Sequence, residues 1–378
     1  MRVLFCSTAA IGRLFPLVPL AWALRAAGHE VLVTFGQHLD AAAATGLHVI
    51  DAAPGYDGSA VFGAIRSNPA LTEREFATPE ERQHAGFVLM VAEANRPFVD
   101  RTVELVDQWR PDLVVYEQTA TYGLIAAARR GVPAVQRNLG TFRTDGLHDQ
   151  TGAHLADEMR RHGVEHLPRP ALVLEYVPPS MLPFPEPEGE FVRDLPFTSA
   201  GVLGDRLPEP QGRPRIALTT GTVKPPAHRH HALSATLAAA AEVDADFALA
   251  LGDIDYSVCG PLPANVTPVG WTPLDVLLTT CSGLVHHGGG GSTMAAIVAG
   301  VPQLLLLDPR FPSTGTMAAA VEVSGVGLVT APDDVDAAAL TALLADEGLR
   351  KATADVRAEL DTLPTPADLV PRLVDLTH

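Results

Sequence analysis

Apolar positions along this chain fall into short buried runs separated by helix-length stretches, and the two kinds alternate from one end to the other. Arg2 to Ser7 reads as a strand; after a glycine-containing loop, Phe15 to Ala27 reads as a helix with Pro16 and Pro19 in its first turn and Gly28 closing it. Glu30 to Thr34 is the next strand. Asp112 to Tyr116 follows a long helix ending near Trp109, and Ala134 to Gln136 follows a helix at Tyr122 to Arg130 and the break at Gly131 and Pro133. Between Pro178 and Pro214 prolines, glycines and acidic residues interrupt every period, and no helix or central strand is readable. The alternation then resumes with a strand at Arg215 to Thr219, a helix at Ala232 to Glu242 and a strand at Asp246 to Leu251. This pattern predicts an α/β protein of two Rossmann-like, doubly wound domains facing a central cleft. The boundaries expected are 1–205 for an N-terminal domain with a linker at about 178–214, 214–360 for a C-terminal domain, and 361–378 for a terminal helix packing back on the first domain.

One stretch carries more than fold. Cys281 to Gly300, CSGLVHHGGGGSTMAAIVAG, reads as a buried strand, two histidines, four glycines and an apolar helix. Glycines 288–291 let backbone approach a ligand closely, and a helix opening at Ser292 and Thr293 would aim free N–H groups and a positive dipole end at it. The expected ligand is a phosphate. His287 would donate to a phosphate oxygen from the edge of this cradle, while the Ser292 and Thr293 hydroxyls cap the helix or touch the ligand. A second loop, Thr219-Thr220-Gly221-Thr222, follows a strand and offers hydroxyls and amides; alone it is an ordinary strand-end turn.

Composition narrows the partners. With 378 residues and 47% hydrophobic content the chain can bury two cores. A formal charge of −17, from 27 basic and 44 acidic residues with no Lys/Arg run, argues against nucleic acid or an anionic membrane as partner. Cys6, Cys259 and Cys281 lie far apart without metal-like spacing, so neither a disulfide framework nor a metal site is expected and a reducing cytoplasm fits. Arg13 interrupts the first apolar run before any cleavage-like site, and Leu304 to Leu307 is strand-length, so neither a signal peptide nor a membrane-spanning helix is expected.

Three segments carry a family resemblance: Val269-Gly270-Trp271-Thr272-Pro273-Leu274, VHHGGGGST at Val285 to Thr293, and Ala299-Gly300-Val301-Pro302-Gln303. They resemble the donor-binding signature of GT-B glycosyltransferases that act on bacterial natural products. The likeness spans nearly the whole chain, taking in the opening MRVLF strand, Arg110 to Val115 and Gly131 to Gln136. It implies an inverting, metal-independent transferase that needs no cofactor, taking a nucleotide sugar, usually a TDP-deoxysugar, as co-substrate and a small aglycone as acceptor, with a homodimer left open. It also implies that Trp271 lies against the nucleobase with Thr272 and Leu274 beside it. The diphosphate is then held by His287, Gly289, Gly291, Ser292 and Thr293, helped by Gly221 and Thr222.

Departures from the family pattern define the open questions. Members that make O-glycosides carry GHxxP before the first helix; here the segment is Gly12-Arg13-Leu14-Phe15-Pro16, and an arginine stays protonated and cannot act as a base. Glu117 stands where an orienting acid is expected and is a candidate partner for Arg13. Three explanations stay open: Glu117 takes the acceptor proton; a residue of the polar cluster Thr144, Asp145, His148 and Asp149 does; or the acceptor is an acidic phenol or electron-rich carbon that needs little base. After the last strand Ser313 and Met317 replace the usual sugar-binding acid, which suits a deoxysugar. Phe62, Phe87 and Met90 lie in a region where such folds cover the acceptor, although core packing accounts for them equally well. The expected activity is transfer of a (deoxy)sugar, O- or C-linked, to an aromatic or polyketide-type acceptor. The alternative is a catalytically weakened GT-B protein that binds nucleotide sugar and assists another enzyme.

Overall fold

The computed structural model describes residues 1–201, 212–221, 226–252, 260–307 and 315–378. Strands β1 (Arg2–Cys6), β2 (Glu30–Phe35), β3 (Val49–Asp51), β4 (Leu113–Glu117), β5 (Ala134–Arg137), β6 (Leu172–Glu175) and β7 (Glu190–Phe191) form one parallel sheet in the order β3-β2-β1-β4-β5-β6-β7. A second parallel sheet is built from β8 (Arg215–Thr219), β9 (Asp246–Leu249), β10 (Val266–Pro268), β11 (Gly283–His286), β12 (Gln303–Leu306) and β13 (Gly327–Thr330), in the order β10-β9-β8-β11-β12-β13. In both sheets the order runs outward from the first strand and reverses beside it, which opens a crevice at the strands' carboxyl ends.

Period-two alternation explains the layers. In β1, Val3 and Phe5 enter one core with Leu14, Leu20 and Val33, while Leu4 and Cys6 enter another with Val114, Tyr116 and Ile125. Helices cover both faces, so the strands are apolar on both sides and every residue of β4 and β12 is buried.

The two halves exchange segments. Val177 and Met181 pack among Met294, Ile297, Leu305 and Val356 of the second half, and Ser180 bonds Glu359. In return Leu369, Val370 and Leu373, the last two from the helix Val370–Asp375, lie in the core around Val3 and Phe5.

Several elements differ from the sequence reading. The first helical segment begins at Ile11, runs through a 3₁₀ turn at Phe15–Leu17 and continues as Val18–Ala26, so Arg13 sits on a helical turn rather than in a loop. Prolines at 16 and 19 mark the start of the later segments, not of the whole stretch, because a proline is tolerated in any first turn. The region from Pro178 holds a 3₁₀ turn at Pro179–Met181 and β7, an edge strand of two residues that is too short to leave a period. The helix expected from Ala232 begins at Pro226.

Candidate active site

The two adjacent histidines sit in different surroundings. His286, the last residue of β11, is fully buried; its Nδ1 accepts from the Gly288 amide at 3.2 Å and its Nε2 donates to Gln303 Oε1 on β12 at 2.9 Å. A ring nitrogen that accepts from an amide carries no proton, so this imidazole is neutral and structural. His287 turns the other way, half-buried, between two glycines. A Cβ on Gly221 would stand 2.2 Å from its Cε1, and one on Gly289 would stand 2.6 Å from its Nε2. Only glycine at both positions leaves room for the ring.

The helix behind these residues spans Gly290–Ala299, two residues earlier than expected. Its N-cap, Gly289, is extended and has no side chain to cap the turn. Thr293 N is the first amide bonded within the helix, to Gly289 O at 3.0 Å, which leaves the Gly290, Gly291 and Ser292 amides without a backbone acceptor among the described residues. Thr293 therefore does not present its hydroxyl to a ligand: it is buried and donates back to Gly289 O at 3.2 Å. Reading Ser292 and Thr293 as caps followed their high cap preference; glycine is also accepted at that position. Gly221, in a left-handed conformation at φ 69°, brings the end of β8 to the same point. Thr222 and Ser313 lie outside the described residues.

Trp271 is 47% exposed, packs its ring on Gly252 and donates from Nε1 to Ser199 Oγ at 2.9 Å. Thr272 spends its hydroxyl on Val269 O at 2.7 Å, and Leu274 opens the helix Leu274–Leu278 among apolar neighbours. The first domain meets the cradle at Leu139, whose carbonyl would stand 2.7 Å from a Cβ on Gly290.

Across the cleft, at the ends of β1 and β4, Arg13 and Glu117 are brought together, but no direct ion pair joins them. Arg13 Nη1 donates to Thr8 Oγ1 and Thr119 Oγ1, each at 2.8 Å. Those hydroxyls donate onward to Glu117 at 2.6 and 2.9 Å, and the Thr119 amide adds a bond of 2.7 Å. Glu117 is the last residue of β4 and has no exposed surface. A carboxylate so enclosed cannot reach an acceptor proton, so its geometry is that of an anchor rather than a base.

His148 is buried behind this group. Its Nδ1 pairs with Thr121 Oγ1 at 3.0 Å, its Nε2 with Gln136 Oε1 at 2.9 Å, and burial lowers it to about 4, which keeps the ring neutral. Asp149 is exposed on the helix Leu147–His154, and Asp145 is exposed and paired with Arg143 at 3.1 Å, so the structure brings neither to Arg13 and Glu117. Phe87 meets Phe142 edge-on at 5.6 Å in a small apolar cluster, and Met90 is half-buried on the same helix, Pro79–Asn95. The Phe62 side chain lies outside the described residues. Thr8, Thr119 and Ser199 were not singled out in the sequence; the signal available was a hydroxyl just past a strand end, which is common in ordinary turns.

Sequence comparison decides the family. The model of the N-terminal domain described as "Erythromycin biosynthesis protein CIII-like" matches residues 22–221, and that of its C-terminal domain matches residues 234–376. The chain belongs to this family. It is a glycosyltransferase of GT-B fold and of the bacterial natural-product class. It is 38% identical over 391 residues to the elloramycin glycosyltransferase ElmGT of Streptomyces olivaceus, covering 99% of this chain and 97% of that one. The crystal structure of the glycosyltransferase SnogD from Streptomyces nogalater superposes with a TM-score of 0.89 at 34% identity over 100% of both chains. The glycosyltransferase SsfS6 of Streptomyces sp. SF2575, solved with thymidine diphosphate, superposes with a TM-score of 0.82 at 27% identity over 99% of each. Among the described residues no helix is long and apolar enough to cross a membrane, and no group of His, Cys, Asp or Glu is placed to hold a metal ion.

Proposed function

We propose that this glycosyltransferase moves a deoxysugar from a TDP-sugar to an aromatic or polyketide-type acceptor with inversion at the anomeric carbon. The observation that carries the reading is the uncapped helix start at Gly290–Ser292 beside an imidazole that fits only because residues 221 and 289 are glycines. Such a start gathers amides and a positive dipole end, the arrangement that suits a diphosphate. Binding thymidine diphosphate is what SsfS6 does, which supports the same nucleotide here.

In a single in-line displacement the acceptor atom attacks the anomeric carbon as the bond to the diphosphate breaks, and negative charge grows on the leaving oxygens. His287 and the amides at the helix start stand ready for that charge without reorganising, so they favour the transition state over the bound donor. Trp271, exposed and held by Ser199, offers a flat face to the nucleobase. Approach of Leu139 to Gly290 closes the reacting centre against water, which limits hydrolysis of the donor.

Calorimetric titration with TDP and with UDP, on the wild-type protein and on His287→Ala, tests the reading. Binding of TDP by wild type and its loss in the variant is the expected result. Failure of the wild-type protein to bind either nucleotide would sink it.

A further inference from the structure

The first domain places a permanent cation at the cleft, at the position where a base is wanting. Arg13 uses one nitrogen, Nη1, for its bonds to Thr8 and Thr119. A guanidinium has five N–H donors, and those on Nε and Nη2 have no acceptor among the described residues. The side chain is half-buried, so these donors are neither sealed in the core nor fully hydrated.

The anchor behind it is rigid and polarised. A guanidinium only donates and a carboxylate only accepts, so both threonine hydroxyls must point their hydrogens at Glu117. The negative end of the pair is enclosed, with both oxygens taken by hydroxyls and amides, and the positive end faces outward. No carboxylate pairs directly with Arg13 among the described residues. Tyr56, shortly after β3, packs its ring against Phe98 and lies near enough to Arg13 to feel its charge. Its hydroxyl has no hydrogen-bond partner among the described residues; burial pushes its pKa up, the Arg13 charge pulls it down and the neighbouring Asp57 carboxylate pushes it up.

A guanidinium cannot remove a proton, but it stabilises an oxygen that has already lost one. Resting on the glycosyl-transfer reading above, we propose that Arg13 recognises the acceptor as its conjugate base. The acceptor hydroxyl is then a phenol or enol acidic enough to ionise near neutral pH, its oxygen held by the outward N–H groups of Arg13, with the Tyr56 hydroxyl as a second donor. The hydroxyl proton passes to solvent on binding. The oxygen forms the new bond to the anomeric carbon, the bond to the diphosphate breaks with its electron pair, and the charge brought in by the acceptor leaves on the nucleoside diphosphate. Aliphatic alcohols, which stay protonated, are poor acceptors.

The probe is alizarin, a flat dihydroxyanthraquinone whose neutral and ionised forms absorb at different wavelengths. Bound to the TDP-loaded protein, its ionisation midpoint falls by about one pH unit or more relative to buffer, a tenfold preference for the anion. In Arg13→Gln/Glu117→Gln, which removes both charges and so leaves no unpaired carboxylate in the core, the midpoint returns to its value in buffer, while Arg13→Lys keeps part of the shift. An unshifted midpoint in wild type, a shift that survives in the double variant, or no binding of alizarin by protein that binds TDP overturns the proposal. Calorimetry with TDP separates the two readings: TDP binding without a shift sinks this inference alone, and a shift in nucleotide-free protein that does not bind TDP sinks the TDP-sugar reading alone.

Discussion

Arg13 and Glu117 communicate through two hydroxyls instead of touching: Thr8 and Thr119 each accept from the guanidinium at 2.8 Å and donate to the carboxylate. Spacing the charges this way gives up direct contact and gains four groups whose hydrogen bonds are all directed one way. The carboxylate is thereby satisfied without exposure, and the cation keeps donors to spare.

Thr119→Val removes a hydroxyl that serves both charges while keeping the side chain's shape. The Arg13 and Glu117 bonds it carried are left unmade, so the variant loses about 1–3 kcal/mol of stability in urea unfolding. Thr8→Val behaves alike, and the double variant departs from the sum of the two because they serve the same pair. Additive losses would mean that the hydroxyls act independently.

His287→Ala leaves the fold intact, because the ring is only half-buried and sits beside two glycines. Turnover of a TDP-sugar falls by roughly 10²-fold, the cost of one donor to a developing charge. Undiminished turnover would remove His287 from the donor site.

Gly221→Ala puts a methyl 2.2 Å from His287 Cε1 at a residue of φ 69°. The ring must move, so TDP affinity falls at least as far as in His287→Ala. In the His287→Ala background the same change costs only the backbone strain, of order 1 kcal/mol. Equal losses of stability on Gly221→Ala in both backgrounds, read by urea unfolding, would show that the ring is not what the glycine accommodates.

Trp271 reports on the nucleotide by its own fluorescence, since its indole is 47% exposed and a stacked base changes its surroundings. TDP quenches emission from wild type but not from Trp271→Phe, while Ser199→Ala keeps the quench and loses only the anchoring bond. Equal quenching in wild type and Trp271→Phe places the base elsewhere.

His148 makes stability depend on pH. Its folded-state value of about 4 lies below the ordinary value of 6.5, so the unfolded chain binds the proton more readily. Stability is complete above pH 6.5 and is lost as pH falls from there toward 4, by up to about 3 kcal/mol. His148→Gln flattens the slope of thermal midpoint against pH in that window; an unchanged slope would assign it to other groups.

Strand–helix alternation made the α/β class and the paired sheets legible, because a strand buried on both faces is mostly apolar, and a run like the LVV that opens β4 can be read without knowing its neighbours. The VHHGGGGST segment was legible for a similar reason: its requirement is local, glycines where backbone and imidazole come close. Helix starts were less so. Ser292 and Thr293 look like caps by type, yet the helix begins at Gly290 because a glycine can also serve as the cap and Thr293 bonds backward.

The sequence by itself determined the doubly wound architecture, the glycine-rich turn between a strand and an apolar helix, and the absence of a histidine at position 13, since each depends on residue type and short spacing alone. Only the tertiary structure decided what holds His286 in the core, that Glu117 is enclosed, and that Asp145 and Asp149 face solvent. It also decided that Arg13 reaches Glu117 through Thr8 and Thr119. Those outcomes depend on the parallel pairing that sets Val3 beside Leu113 and Cys6 beside Tyr116, carrying the loops after β1 and β4 to the same edge, and on the geometry of hydrogen bonds between residues remote in sequence, which no local pattern encodes.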